Sequence, residues 1–215
     1  MQIDSPGKQS RLMAVTALTC SRAPMVLLFV ACVIADLLWP FTVSNCGGHV
    51  ALRWLALALL IISSVTDLFD GLLARKWGVT SLFGAICDPL MDKVFFVAVF
   101  PTVTAMLFVT GEYGLASLAL CFTVLHLLRD LWVVTLRSLA AGKADMKADF
   151  VGKLRTATSF PIGIAAYCHV AFDWLWLPTA VISALFVFGL LLNVYSAYSY
   201  TRRFRFAIVD ALHTN

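Results

Sequence analysis

Apolar residues run along this chain in six long stretches, at about 23–43, 51–74, 83–110, 115–135, 156–176 and 177–198. Each is close to the ~20 residues that a helix needs to cross the ~30 Å hydrocarbon core of a bilayer. Turn-forming residues separate most of them: Asn45-Cys46-Gly47-Gly48, Gly78, Gly111-Glu112-Tyr113-Gly114, Gly142 and the stretch 173–178. The pattern predicts an all-α integral membrane protein of six transmembrane helices. It reads as a single domain over 1–215, with 1–13 a cytoplasmic lead-in and 199–215 a cytoplasmic tail. No internal repeat is visible.

Composition narrows the class. Of 215 residues, 61% are hydrophobic and 13% charged, with a mean hydropathy of +0.89, far from the composition of a soluble domain. A disordered chain, a disulfide scaffold and an ordinary water-soluble enzyme are excluded. Cys20, Cys32, Cys46, Cys87, Cys121 and Cys168 are scattered, with no C-x-x-C pair, and read as small core hydrophobes. Cys46 and His49 would supply two ligands where a structural zinc needs four. The lead-in carries Asp4, Lys8 and Arg11 and matches neither a secretory signal nor a transit peptide.

Charge sets the orientation. With six spans, Lys8, Arg11 and Arg22 share a side with Arg75, Lys76, the cluster Lys143, Lys147, Lys153 and Arg155, and the tail Arg202, Arg203 and Arg205, while the other side keeps Arg53. Lys and Arg near span ends mark the cytoplasmic side, so both termini are expected there. The net charge of +4 is then a topology signal that calls for no nucleic-acid partner.

Acids carry the chemistry. Only 13 uncharged residues separate Arg53 from Asp67, about 20 Å of helix, so the second span must continue through Asp67 and Asp70 toward Arg75. The third span is preceded by Asp88 and Asp92. Counting ~1.5 Å per residue inward, Asp70 and Asp67 lie about 8 and 12 Å deep, Asp88 and Asp92 about 9 and 15 Å. At 100° per residue, Asp67, Asp70, Gly71 and Ala74 share one face of the second helix, and Gly84, Asp88 and Asp92 one face of the third. An antiparallel pair would gather four carboxylates near the cytoplasmic face. A charged residue at mid-membrane costs about 2.5–3.5 kcal/mol, less near the edge, and like charges add repulsion. Oxygen-only donors suit a hard cation, Mg²⁺ or Mn²⁺, with room for two ions. The competing explanation pairs the acids with Arg75, Lys76 and Lys93 as interfacial ion pairs. Pro89 removes one backbone hydrogen bond beside the acids.

These residues form a recognisable pattern. Asp67-x-x-Asp70-Gly71-x-x-Ala74-Arg75, then eight residues, then Gly84-x-x-x-Asp88-x-x-x-Asp92 resembles, without a gap, the signature of the CDP-alcohol phosphatidyltransferases. The resemblance covers 26 residues directly, and the six-helix layout covers the rest. It implies Asp67, Asp70 and Asp88 as ligands of a divalent metal pair, and Asp92 as shared ligand and as the base that activates the alcohol. It implies Thr19, Arg22, Asp67, Gly71, Ala74, Arg75 and Gly84 as the residues around the cytidine diphosphate of a nucleotide-activated lipid. A homodimer in a membrane, such as the bacterial inner membrane, is the expected assembly.

For the acceptor, 83–93 resembles the branch that contains phosphatidylglycerophosphate and cardiolipin synthases. Leu18-Thr19-Cys20-Ser21-Arg22, Arg129-Asp130 with Leu136-Arg137, and Gly152-Lys153-Leu154-Arg155-Thr156 resemble elements of the former; Asp130 stands for the usual Glu and Ser159 for an expected Gln. The resemblance implies CDP-diacylglycerol and glycerol 3-phosphate as substrates. Arg129 and Arg137 fall within about 80° of each other on the fourth helix. With Lys153 they could hold an acceptor phosphate. The competing explanation pairs Arg137 with Asp130. His126 reads as an interhelical hydrogen-bonding residue. Two other classes remain at this stage. A secondary transporter would place its acids near the midplane, usually with repeats. A structural membrane module would give no reason for four acids at one depth.

Overall fold

The computed structural model describes residues 6–38, 47–78, 82–140, 150–172 and 177–213. They form seven helices: α1 (Pro6–Leu38), α2 (Gly47–Trp77), α3 (Leu82–Val109), α4 (Tyr113–Leu139), α5 (Phe150–Ala171), α6 (Thr179–Arg203) and α7 (Arg205–His213). No strand occurs among the described residues. Five helices contain stretches long and apolar enough to cross a membrane: Ser10–Leu38, His49–Asp67, Pro89–Val109, Tyr113–Leu139 and Thr179–Arg203. α5 has the length but not the hydropathy, because it carries Arg155, Ser159 and His169 among its apolar residues.

Several expected boundaries move. α1 begins at Pro6, inside the expected lead-in, and α2 begins at Gly47, inside the expected turn. The expected tail is helical, as the end of α6 and all of α7. Gly78 and Gly111 are turns as read, with φ of 60° and 86°, a backbone region that glycine enters without steric cost. Gly142 and Cys46 lie outside the described residues. α2 is continuous through Asp67 and Asp70, and α3 through Asp88, Pro89 and Asp92.

The chain divides into two compact units, 1–106 and 107–215. In the first, α1 packs along α2. Among the buried positions of α1, Thr19, Arg22, Val26, Phe29, Val33 and Asp36 form a stripe at alternating three- and four-residue steps, as a helix contact requires, with the buried Cys32 beside it. Its middle is apolar and its two ends are charged. Asp36 accepts from Arg53 Nε at 3.0 Å and pairs with His49 Nδ1 at 2.7 Å, both on α2. Arg22 donates to Asp67, also on α2. Fourteen positions separate Arg22 from Asp36, and fourteen separate Arg53 from Asp67, about 21 Å on each helix. Oppositely directed ion pairs therefore fix the antiparallel register at both ends.

In the second unit, α4 and α5 pack on α6, and α7 contacts α4 and α6. Buried stripes with the same step pattern meet here: Phe122, His126, Arg129, Val133 and Leu136 on α4, and Ile182, Phe186, Gly189, Asn193, Ser196 and Tyr200 on α6. Gly189 allows the approach, since a Cβ there would lie 2.5 Å from Phe122 Cε2 and 3.2 Å from Ile162 Cδ1. On the opposite face of α4, Leu120, Val124, Leu128 and Leu131 are exposed. Apolar residues outside and charged or hydroxyl residues inside suit a helix bundle solvated by lipid. Buried hydroxyls bond within their own helices, as Thr104 does to Phe100 O at 2.8 Å and Thr123 to Ala119 O at 2.8 Å.

Candidate active site

In the first unit the site is built around Arg22. This side chain is 3% exposed, and its guanidinium donates to Asp67 of α2 and, at 3.5 Å, to Asp92 Oδ1 of α3. Thr19, one turn earlier on the same stripe, is buried and donates to Val15 O at 3.3 Å. Asp67 and Asp92 keep 27% and 33% of their side-chain surface exposed. The competing explanation from the sequence is that the acids pair with Arg75, Lys76 and Lys93 as interfacial ion pairs. Among the described residues, Arg22, 45 and 70 positions away from Asp67 and Asp92, is a cation that bonds both, and Lys76 and Lys93 are exposed. The side chains of Asp70, Gly71, Ala74, Arg75, Gly84 and Asp88 lie outside the described residues, although their backbones belong to α2 and α3.

Two carboxylates on different helices thus converge on one positive charge. That donor set fits a hard divalent cation, which favours oxygen ligands. Among the described residues no group of three or more His, Cys, Asp or Glu assembles.

The second unit holds a separate polar cluster. Asp130 accepts from Arg129 NH1 at 3.0 Å and from Arg155 NH2 at 2.7 Å. Arg155 also donates to Asn193 Oδ1 at 3.3 Å and, at 2.6 Å, to His126 Nε2. His126 is therefore the interhelical hydrogen-bonding residue expected of it. Arg129 donates to Ser196 on α6. Arg137 does not turn to Asp130; its NH2 donates to the Tyr200 hydroxyl at 3.0 Å. Asp130 is already committed to two guanidinium groups, and the Tyr200 ring offers Arg137 a nearer acceptor. The Arg129 and Arg137 Cζ atoms lie 4.9 and 5.3 Å from the centroid of that ring, within cation–π range.

Among the described residues, this cluster holds three guanidinium groups and one carboxylate, with Arg129 and Arg155 on Asp130 and Arg137 on Tyr200. The Nε atoms of Arg129 and Arg137 are buried with no acceptor among the described residues. A net positive, donor-rich cluster of this kind is suited to a phosphate. The Lys153 side chain lies outside the described residues. Sequence reasoning passed over Tyr200, Ser196 and Asn193, for which the step pattern of α6 was the available signal. It also passed over Asp36, an acid inside the first apolar stretch.

A sequence profile of the family described as CDP-alcohol phosphatidyltransferase matches residues 12–195. The chain is similar to the CDP-diacylglycerol--glycerol-3-phosphate 3-phosphatidyltransferase of Cereibacter sphaeroides, with 39% identity over 93 residues, 43% of this chain and 39% of that one. It is 34% identical over 131 residues to a probable phosphatidylglycerophosphate synthase of Mycobacterium tuberculosis, 58% of each chain. These two matches span less than two thirds of those relatives' own length. With the CDP-diacylglycerol--glycerol-3-phosphate 3-phosphatidyltransferase of Escherichia coli the identity is 31% over 163 residues, 72% of this chain and 81% of that one.

Proposed function

Because the chain belongs to the CDP-alcohol phosphatidyltransferase family, we propose that it transfers the phosphatidyl group of CDP-diacylglycerol to a hydroxyl of glycerol 3-phosphate, releasing CMP. The observation that carries this reading is the convergence of Asp67 and Asp92, both positions of the family signature, on one buried cation. The acceptor follows from the relatives named for glycerol 3-phosphate and from the excess of guanidinium groups around Tyr200.

In this reading Asp67, Asp70, Asp88 and Asp92 would hold one or two divalent ions, Mg²⁺ or Mn²⁺, whose charge would neutralise the diphosphate and its leaving group. Arg22, with Thr19, Gly71, Ala74, Arg75 and Gly84, holds the cytidine diphosphate. Asp92 takes the proton of the acceptor hydroxyl as its oxygen bonds to the β-phosphorus, the one bearing the diacylglycerol. The bond from that phosphorus to the oxygen bridging to CMP then breaks, and CMP leaves. Arg129, Arg137 and Lys153 hold the acceptor's own phosphate. The protein is read as a homodimer of six-span chains in a bacterial inner membrane. Both termini and the acidic helix ends face the cytoplasm, where a soluble acceptor is found.

The test is CMP release by purified protein supplied with CDP-diacylglycerol, divalent metal and, separately, glycerol 3-phosphate, phosphatidylglycerol, inositol phosphate or serine. Glycerol 3-phosphate is expected to give the fastest release. Asp92→Asn is expected to lose turnover more completely than nucleotide binding. Release with phosphatidylglycerol alone would replace the acceptor, and full activity of Asp92→Asn with metal present would remove the base.

A further inference from the structure

From the geometry of the second unit we infer that Tyr200 is a positioning residue that presents Arg129 and Arg137 together to the phosphate of the acceptor. The inference rests on the acceptor reading above and adds to it a residue that the sequence did not suggest.

Arg129 and Arg137 are eight positions apart on α4, about 12 Å along the axis. Left alone, two like charges at that spacing would extend away from each other. Here both guanidinium groups lie against one aromatic ring, at 4.9 and 5.3 Å from its centroid, and the Arg137 NH2 is fixed to the phenol oxygen at 3.0 Å. The negative face of the ring offsets part of the repulsion between them.

The ring itself cannot turn aside. It is 2% exposed and packed among Val133, Leu136, Ala140 and Phe204, with the Phe204 ring centroid 6.1 Å away and 19° from coplanar. α5 closes the remaining side: a Cβ on Gly152 would lie 3.3 Å from the Tyr200 hydroxyl and 3.6 Å from Arg129 NH2. The lack of a side chain at 152 therefore leaves room for the phenol and the guanidinium. Arg129 is anchored twice, by Asp130 and Ser196. Arg137 makes both its hydrogen bond and its ring contact with Tyr200, which is what positions it. A pair of guanidinium groups held in advance loses less freedom on binding an anion than two that must be gathered.

The experiment compares Tyr200→Phe, Tyr200→Leu and Arg137→Ala with the unaltered full chain in detergent. Steady-state kinetics are run against each substrate, together with heat unfolding with and without inorganic phosphate. Tyr200→Phe keeps the ring and removes the acceptor of Arg137. It is expected to raise KM for glycerol 3-phosphate about tenfold, the weight of one hydrogen bond to a charged group, with kcat and KM for CDP-diacylglycerol within about twofold of the original. Tyr200→Leu should raise that KM further and abolish the stabilisation by phosphate. If Arg137→Ala raises KM for glycerol 3-phosphate but Tyr200→Phe does not, Tyr200 is not a positioning residue and the acceptor reading survives. If Arg137→Ala leaves it unchanged, both fail. Should Tyr200→Leu not fold, Tyr200→Phe decides alone. A loss of heat stability in Tyr200→Phe with kcat and both KM values altered together would mean that the tyrosine only supports the fold, and would overturn the inference.

Discussion

Among the described residues Asp130 is the single carboxylate in the cluster of three guanidinium groups, and Asp130→Asn tests whether the cluster is held by charge. Arg129 and Arg155 bond it at 3.0 and 2.7 Å, with side-chain exposures of 8%, 8% and 18% for the two arginines and the aspartate. At such separations each pair attracts by several kcal/mol even at an effective dielectric constant near 20, and most of that offsets the cost of removing the charges from water. Removing the carboxylate leaves that cost in place and cancels the gain. Breaking one partner of a buried pair typically destabilises by about 3–5 kcal/mol. At about 2–4 °C per kcal/mol for a chain of this size, the unfolding temperature should fall by roughly 10 °C. The informative comparison is the double variant Asp130→Asn/Arg155→Met. Taking away the second charge relieves the first loss, so the double variant should be more stable than Asp130→Asn alone, although below the original because His126 and Asn193 lose their donor. Thermal unfolding of the detergent-solubilised protein measures both. A fall of less than about 3 °C in Asp130→Asn, or a double variant as unstable as the sum of the singles, would refute a charge-held cluster.

Arg22→Ala should lower the unfolding temperature without metal, because it leaves Asp67 and Asp92 facing each other without the guanidinium. Added Mg²⁺ or Mn²⁺ should then stabilise it more than it stabilises the original, and equal shifts in a metal titration followed by heat unfolding would contradict the convergence of those carboxylates on a cation site. Gly189→Ala places a methyl 2.5 Å from the Phe122 ring and should destabilise by about 1–3 kcal/mol through overpacking, whereas Gly114→Ala, with nothing within 4 Å of its added Cβ, should be neutral in the same assay.

How far the sequence reached depends on the distance over which each feature is encoded. The signature 67–92 is local: its acids repeat at helical steps, and the cost of burying them is readable without a partner. Their counter-ion is not local, since Arg22 meets Asp67 and Asp92 only once α1 lies along α2 and approaches α3. The early start of α1 was hidden because residues 6–22 mix Lys8, Arg11 and hydroxyl residues with apolar ones, so mean hydropathy falls while helical periodicity persists. α5 shows the same limit, for its buried Arg155 and Ser159 lower the average that marks a span. Asp36 could have been found by the reasoning applied to the other acids, since it too lies within an apolar run. Tyr200 could not, because a tyrosine near the end of a membrane helix reads as an interfacial anchor until the register of α4 against α6 is known.

One physical cause underlies both clusters. Lipid is as apolar as a leucine surface, so helices in a bilayer gain little by hiding apolar faces from it, and close packing with polar contacts holds them together instead. In the first unit the packing lies in the middle of the α1 stripe, at Val26, Phe29 and Val33, and the ion pairs lie at its ends. In the second, Gly189 supplies the close approach and Arg129, Asp130 and Arg155 the polar contacts. The groups suited to bind a diphosphate, a metal or a phosphate are thus also the groups that join the helices. A ligand arriving at Asp67 and Asp92 has to share or replace the contact that Arg22 makes there. Its binding is therefore coupled to how α1, α2 and α3 are held, and a variant of Arg22 should alter ligand affinity and heat stability together, whereas one on the exposed face of α4, such as Leu128→Ala, should alter neither.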